Sequence, residues 1–208
     1  MKVLMINGSP KANGCIATAF KIAKEIFDAE GIETEVVHIG NKDIRGCIAC
    51  LSCRKTGKCV FNDLVNETAP KLREADGVIV GSPVYFGMPN GTALSFMQRL
   101  FYSAGMDTRM KVGASVVSCR RGGNSGTYQT MNMIFGMTGM PLAPSSYWND
   151  VHGYTADDVY ADIEGVQTMK NLAHNMVFMM KAIADGKETY GMPERESGSR
   201  RNFVYENQ

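Results

Sequence analysis

The chain has 208 residues, 44% of them hydrophobic and 21% charged, with a formal net charge of +1. Near-neutrality gives no electrostatic reason to expect nucleic acid or a membrane surface as partner, and no apolar run reaches the roughly 18 residues that would span a bilayer. The length suits one well-packed domain. Six cysteines, four of them in one stretch, point to metal or redox chemistry in a cytoplasmic setting before structural disulfides.

Lys2 to Ile6 (KVLMI) is a short apolar run that stops at Asn7-Gly8-Ser9-Pro10, as a buried parallel strand does and a leader peptide does not. Between Cys15 and Glu30 the apolar residues Ile16, Ala19, Phe20, Ala23, Ile26 and Phe27 recur at helical spacing, and Gly31 ends the pattern. Thr34 to Ile39 predicts a second strand, and the cysteine stretch follows. Asp63 offers a cap for a helix to about Ala75. Strands are expected at Gly77–Gly81, Val112–Val117 and Met140–Ser146, the last of them weak in pattern. Helices are expected at Gly91–Tyr102 and Ser125–Thr138. A long apolar stripe from Ile163 to Ile183 predicts a final helix stopped by Gly186. The domain then covers 1–186, and 187–208 is a polar tail carrying Phe203 and Tyr205, either draped over a neighbour or disordered. Alternation of strand and helix indicates a parallel sheet with helices on both faces, whose ligand sits beyond the carboxyl ends of the strands.

Residues 44–63 read IRGCIACLSCRKTGKCVFND, with cysteines at 47, 50, 53 and 59 in a C-x2-C-x2-C-x5-C spacing. Thiols three residues apart converge when a loop curls, and the longer gap returns a fourth. Compact runs of this kind hold iron–sulfur clusters. Zinc and bare reduced thiols are the competing readings, although four-thiolate zinc sites usually pair two distant C-x2-C knuckles.

Three loops at strand ends are unusual. Ser9 to Ile16 brings a hydroxyl at Ser9, a charge at Lys11, a turn at Asn13-Gly14 and free N–H groups at Cys15 and Ile16. These are the parts of a phosphate cradle, although neither the Walker nor the dinucleotide glycine pattern is present. A plain Ser-Pro turn is the bland alternative. Pro83, Val84, Tyr85, Phe86 and Gly87 place aromatics on a proline- and glycine-held loop that suits a heterocycle, or equally a core or interface turn. Ser118 to Asn124 contains Arg121 and Gly122, where backbone and guanidinium can approach a ligand. Arg120 reads as solvated.

Together, GSPKANG near the start, the cysteine spacing after the second strand, SPVYFG after the third, RRGG and EGVQTMKNLA resemble the iron–sulfur flavoprotein family over residues 1–185. This family is a branch of the flavodoxin-like NAD(P)H-dependent FMN reductases. The resemblance implies a flavodoxin-like, doubly wound, five-stranded parallel sheet in the order 2-1-3-4-5 with helices on both faces. It implies FMN, with its phosphate in the Ser9–Ile16 loop and its ring against Pro83–Gly87 and against Ser118, Arg121 and Gly122. It further implies a [4Fe–4S] cluster on Cys47, Cys50, Cys53 and Cys59, and an electron donor such as NAD(P)H or ferredoxin with a small-molecule acceptor. A homodimer or homotetramer would bring the cluster of one subunit near a flavin of another. Cys15-Ile16 departs from the family pattern, which shifts phosphate binding towards backbone N–H groups, and Ser118-Cys119 replaces smaller glycines, which loosens the expected contact of that loop. The expected activity is electron transfer between FMN and the cluster. The alternatives are an NAD(P)H-dependent FMN or quinone reductase without a cluster, and a zinc-stapled binding module. No protein acid or base is assigned. His38 and His174 lie outside the candidate loops, and His152 is a weak candidate to enter the site.

Overall fold

The structure, a computed structural model, describes residues 1–103, 105 and 107–196. Phe203 and Tyr205 of the expected tail lie outside the described residues. Strand β1 (Lys2–Asn7) leads into helix α1 (Cys15–Ala29) and strand β2 (Glu33–His38). The cysteine stretch holds one short helix, α2 (Ser52–Thr56), before α3 (Leu64–Glu74), whose start is capped by Asp63 accepting from the Val65 N–H at 3.1 Å. Then come β3 (Gly77–Tyr85), β4 (Met88–Pro89), α4 (Gly91–Ser103), β5 (Val112–Cys119) and α5 (Asn124–Met137). The described part ends with β6 (Asp150–His152), α6 (Ala156–Ala161) and α7 (Ile163–Tyr190).

Five strands pair in parallel in the order β2-β1-β3-β5-β6, and β4 adds an antiparallel hairpin to β3, making a six-stranded sheet. The expected five-stranded 2-1-3-4-5 sheet is therefore corrected. The winding is as anticipated, but a two-residue hairpin strand intervenes and the final strand lies elsewhere. Met140–Ser146 is not a strand. It keeps a single bridge, Leu142 to Gly113, because Pro141 and Pro144 supply no N–H to a ladder. The edge is completed instead by the short segment Asp150–His152 beside Val117–Cys119. The final helix also passes Gly186 and ends at Gly191. One glycine inside a helix costs only about 1 kcal/mol, too little to stop a helix whose other face is packed.

Alternate strand residues face opposite layers. Val3, Met5, Ile79 and Val116 meet Phe20, Ala23, Leu172 and Met176 of α1 and α7 on one side. Leu4, Ile6, Val78 and Val80 meet Leu72, Phe96, Leu100 and Phe135 of α3, α4 and α5 on the other. No described helix is long and apolar enough to cross a membrane.

The carboxyl ends of β1 and β3 approach closely. The Gly8 N–H donates to the Gly81 carbonyl at 2.8 Å. A Cβ placed on Gly81 would lie 2.4 Å from Ile16 Cγ2 and 2.9 Å from Phe20 Cζ. Because both neighbours are buried in the core, Gly81→Ala is expected to destabilise the fold by roughly 1–3 kcal/mol through overpacking. A chemical-denaturation midpoint equal to that of the parent would refute this packing argument.

Candidate functional site

A cleft of about 420 Å³ opens at the carboxyl edge of the sheet, lined by Ser9, Lys11, Gly14, Cys15, Pro83, Val84, Tyr85, Ser118, Cys119, Arg120, Gly153 and Tyr154. Its volume lies in the range of small-ligand and cofactor pockets. The first loop is shaped by side chain–backbone bonds: Asn7 Oδ1 accepts from the Ser9 N–H at 2.9 Å, and Ser9 Oγ accepts from the Lys11 N–H at 3.1 Å. The Ser9 hydroxyl hydrogen therefore remains free to donate. His38 Nε2 lies 2.8 Å from the Ser9 carbonyl oxygen and braces the loop from β2. Helix α1 begins at Gly14 with no side-chain cap and no acidic residue in its first turn. Its leading N–H groups thus open towards the cleft, where an anionic oxygen would satisfy them.

The second loop is a tight hairpin. Phe86 and Gly87 have φ of +51° and +76°, the left-handed pair that a two-residue turn between Tyr85 and Met88 demands. Asn90 caps α4 by accepting from the Thr92 N–H at 2.8 Å, and its own N–H donates to Ser82 Oγ at 2.9 Å. The third loop packs on this hairpin. At Gly123, with φ of +88°, a Cβ would come within 2.8 Å of Gly87 Cα and 2.9 Å of Val84 Cγ1. Asn124 Nδ2 donates to Asp150, tying α5 to β6. Burial pushes the Asp150 carboxyl above its ordinary range, and the Asn124 bond offsets part of that rise.

Of the residues expected from the sequence, Ser9, Lys11, Gly14, Cys15, Pro83, Val84, Tyr85 and Ser118 line the cleft. Asn13 lines a separate depression with Lys21, Lys24 and His38. Ile16 is fully buried in the core, so only its backbone can serve. Phe86, Gly87, Arg121 and Gly122 are exposed outside the lining. Arg120, read as solvated, is exposed yet contributes to the cleft wall. Gly153 and Tyr154 escaped the sequence reading because the last strand was placed ten residues too early. Locating it at Asp150–His152 would have made the loop that follows a candidate at once. Tyr154 reaches back across the cleft mouth, with Lys11 Nζ 4.8 Å from its ring centroid. His152 does not enter: its N–H donates to Asp162 Oδ2 at 2.6 Å and its side chain faces a different pocket.

The four clustered cysteines line one cavity, together with Ile48, Leu51, Val60, Phe61, Arg99, Tyr102 and Ser103. Among the described residues no three Cys, His, Asp or Glu side chains converge tightly enough to hold a metal ion. The cavity therefore gathers the thiols without closing them on a centre. Cys59 is the most firmly placed. Asn66 clamps its peptide, Oδ1 accepting from the Cys59 N–H at 2.9 Å and Nδ2 donating to its carbonyl at 2.9 Å. Cys47 and Cys50 are exposed on an arm whose Ala49 and Leu51 hold φ of +53° and +59°, a conformation costly for residues with a Cβ. The Ser52 N–H, and then its hydroxyl, draw the Cys50 thiol below its ordinary value. Cys15 and Cys119 are buried, and that burial pushes both thiols up.

An open parallel sheet whose strand-end loops meet an uncapped helix N-terminus defines a doubly wound nucleotide-binding protein. The chain belongs to the family described as NADPH-dependent FMN reductase, which its residues 1–155 match, and within it to the iron–sulfur flavoproteins. It is 34% identical to an iron–sulfur flavoprotein of Methanocaldococcus jannaschii, over 88% of this chain and 99% of that one. Its fold is similar to that of RosB holding 8-demethyl-8-formylriboflavin-5'-phosphate, with a TM-score of 0.71 and 16% identity over 100% of this chain and 96% of the other. It also resembles a flavodoxin from the domain Archaea, with a TM-score of 0.59 and 14% identity over 87% and 99% of the two chains. Membership of the family makes the chain a flavin-dependent oxidoreductase.

Two outcomes are expected from this geometry. Ser9→Ala removes the free hydroxyl beside α1 and is expected to weaken FMN binding by about 1–3 kcal/mol; an unchanged affinity in fluorescence titration would remove Ser9 from the site. In metal-free protein near neutral pH, a short iodoacetamide pulse is expected to label Cys50 before Cys15 and Cys119, since the lowered thiol is exposed and the raised pair are buried. Peptide mass spectrometry after quenching reads the order directly, and early labelling of Cys15 or Cys119 would contradict it.

Proposed function

We propose that the protein is an electron-transfer flavoprotein that couples FMN to a [4Fe–4S] cluster, with a nicotinamide or a ferredoxin as electron donor. Bound FMN exchanges electrons in pairs or singly and a cluster exchanges them one at a time, so the two groups together link two-electron donors to one-electron carriers. The FMN phosphate is assigned to the Ser9–Cys15 loop and the uncapped start of α1. The ring is assigned to the wall formed by Pro83, Val84, Tyr85 and Ser118, which Gly123 holds in place through its contact with the hairpin.

The observation that carries the cluster assignment is the gathering of Cys47, Cys50, Cys53 and Cys59 around one cavity backed by a buried cation, Arg99. A second polar group supports it: the Ser103 hydroxyl is buried there with no hydrogen-bond partner. The cavity measures about 20 Å³, room for about one water. On the cluster reading, the exposed arm that carries Cys47 and Cys50 shifts to admit the group. The alternative, a reductase with bare thiols, draws on the same narrowness and on the lack of convergent ligands among the described residues.

An exposed apolar surface supports an oligomer. Helix α4 starts at Gly91, after the hairpin, and reaches the cysteine cavity at Arg99, about 12 Å further along its axis at 1.5 Å per residue. The exposed Tyr85, Phe86, Met88, Met133 and Met137 supply an apolar face for a second copy. Light scattering of FMN-loaded protein is expected to give at least a dimer mass; a monomer at micromolar concentration would oppose this arrangement.

The cluster is tested by anaerobic reconstitution and by counting iron, acid-labile sulfide and FMN per chain in the wild type and in six single Cys→Ser variants. Iron and sulfide are expected to fall sharply at positions 47, 50, 53 and 59 and to be retained at 15 and 119. Zinc without labile sulfide would indicate a structural staple, and a metal-free wild type with FMN would indicate the bare-thiol reductase.

A further inference from the structure

We propose that Arg99 is a positioning residue of the cysteine site: its guanidinium holds the Cys59 sulfur in one orientation and sets the reduction potential of the cluster bound there. The inference rests on the cluster reading above and adds to it a residue outside the cysteine motif.

The side chain of Arg99 is 1% exposed and lies between α4 and the cysteine stretch. Its Nε and Nη2 donate to Cys59 Sγ at 3.3 and 3.2 Å. Nη1 and Nη2 donate to the two Asp63 carboxylate oxygens at 2.7 and 3.0 Å, Nη1 also donates to the Arg45 carbonyl at 3.3 Å, and Nη2 shares its hydrogens with the Phe61 carbonyl at 3.4 Å. The Phe61 ring centroid lies 5.0 Å from the guanidinium carbon. Arginine does not shed its proton in proteins, and burying a cation is costly unless it is paired and hydrogen-bonded. Here one carboxylate balances the charge, and two N–H groups are left to point at a single sulfur. The sulfur thus completes the set of acceptors around the buried cation, and the same two N–H groups fix its position.

The four thiols are correspondingly unequal. The Cys59 peptide is clamped by Asn66 and its sulfur by Arg99, whereas Cys47 and Cys50 sit on the exposed arm. Ser103 follows Arg99 by four residues and so shares its helix face; its hydroxyl, 3% exposed at the residue level and unpartnered, lines the same cavity. Reduction adds negative charge to cluster and thiolates. Donors to sulfur favour the reduced form and raise the potential, while nearby carboxylates oppose it. Arg99 and Asp63 must therefore act with opposite signs, and that distinguishes tuning from mere support.

The test is an EPR-monitored redox titration of the anaerobically reconstituted full chain, with FMN content as the check on folding. For Arg99→Gln the reduced-to-oxidised ratio at the wild-type midpoint is expected to fall at least tenfold, equivalent to about 59 mV for a one-electron couple. Asp63→Asn, which keeps an acceptor for the α3 cap and the guanidinium beside Cys59, is expected to move the midpoint upward. Arg99→Lys, which keeps the charge without the fork, is expected to fall between wild type and Arg99→Gln. Full clusters with wild-type midpoints in Arg99→Gln and Asp63→Asn would overturn the proposal while leaving the cluster reading intact. If Arg99→Gln fails to fold, Asp63→Asn decides: an upward shift supports the proposal and an unchanged or lowered midpoint overturns it. A wild type with FMN but no iron and sulfide would instead overturn the cluster reading, and this inference with it.

Discussion

Parallel pairing of β1 with β3, closed by the Gly8 to Gly81 hydrogen bond of 2.8 Å, is the constraint on which the other features depend. Parallel strands cannot be joined by tight turns, so each must return through a crossover, and all loops that leave strand ends emerge on one edge. At that edge the chain has little freedom. A side chain on Gly8 would meet Ala93 Cβ at 2.5 Å and the Gly81 carbonyl at 2.8 Å. The loop after β1, the aromatic hairpin and the start of α4 are thus held together by backbone approach, before any ligand is considered.

Helix α4 carries this order from one site to the other. Its first turn is capped by Asn90, which Ser82 in turn holds; its last turns present Arg99, Tyr102 and Ser103 to the cysteines. Along its buried side Ala93, Phe96, Met97 and Leu100 lock it onto the sheet. Burial draws the guanidinium of Arg99 towards losing its charge, and the bonds to Asp63 and Cys59 more than reverse that pull, so a cation persists in an otherwise apolar layer. Such a group is tolerated because every donor has an acceptor. The cysteine stretch is consequently anchored at Cys59, while Cys47 and Cys50 stay exposed.

Elements with a strong period were legible in the sequence. KVLMI, the Ile16–Phe27 stripe and the Asp63 cap all correspond to what is found, because burial on a known period leaves one solution. The eight cleft residues named from the sequence lie at or beside strand ends and the start of α1, near segments marked by Gly, Pro and Ser, where turn chemistry is explicit. Asn13 lines a separate depression instead of the cleft, beside Lys21 and His38. The last strand was misread because Met140–Ser146 has apolar content without ladder donors, whereas Asp-Val-His has donors and little apolar signal. Only the exposed edge of β5 made the second a strand.

Residue order by itself determined the class of fold, the cysteine motif and the turn-rich loop after β1, because periodicity, spacing and glycine placement are local properties of the chain. Only the tertiary structure decided that Gly153 and Tyr154 complete the cleft, that His38 braces Ser9, and that Arg99 meets Cys59. These contacts join residues separated by 29 positions in one case and 40 in another. Nothing in the local pattern around Arg99 distinguishes it from a solvated helix arginine. Its role arises from the packing of α4 against the cysteine stretch, where the cost of a buried charge is met by Asp63 and by the Cys59 sulfur.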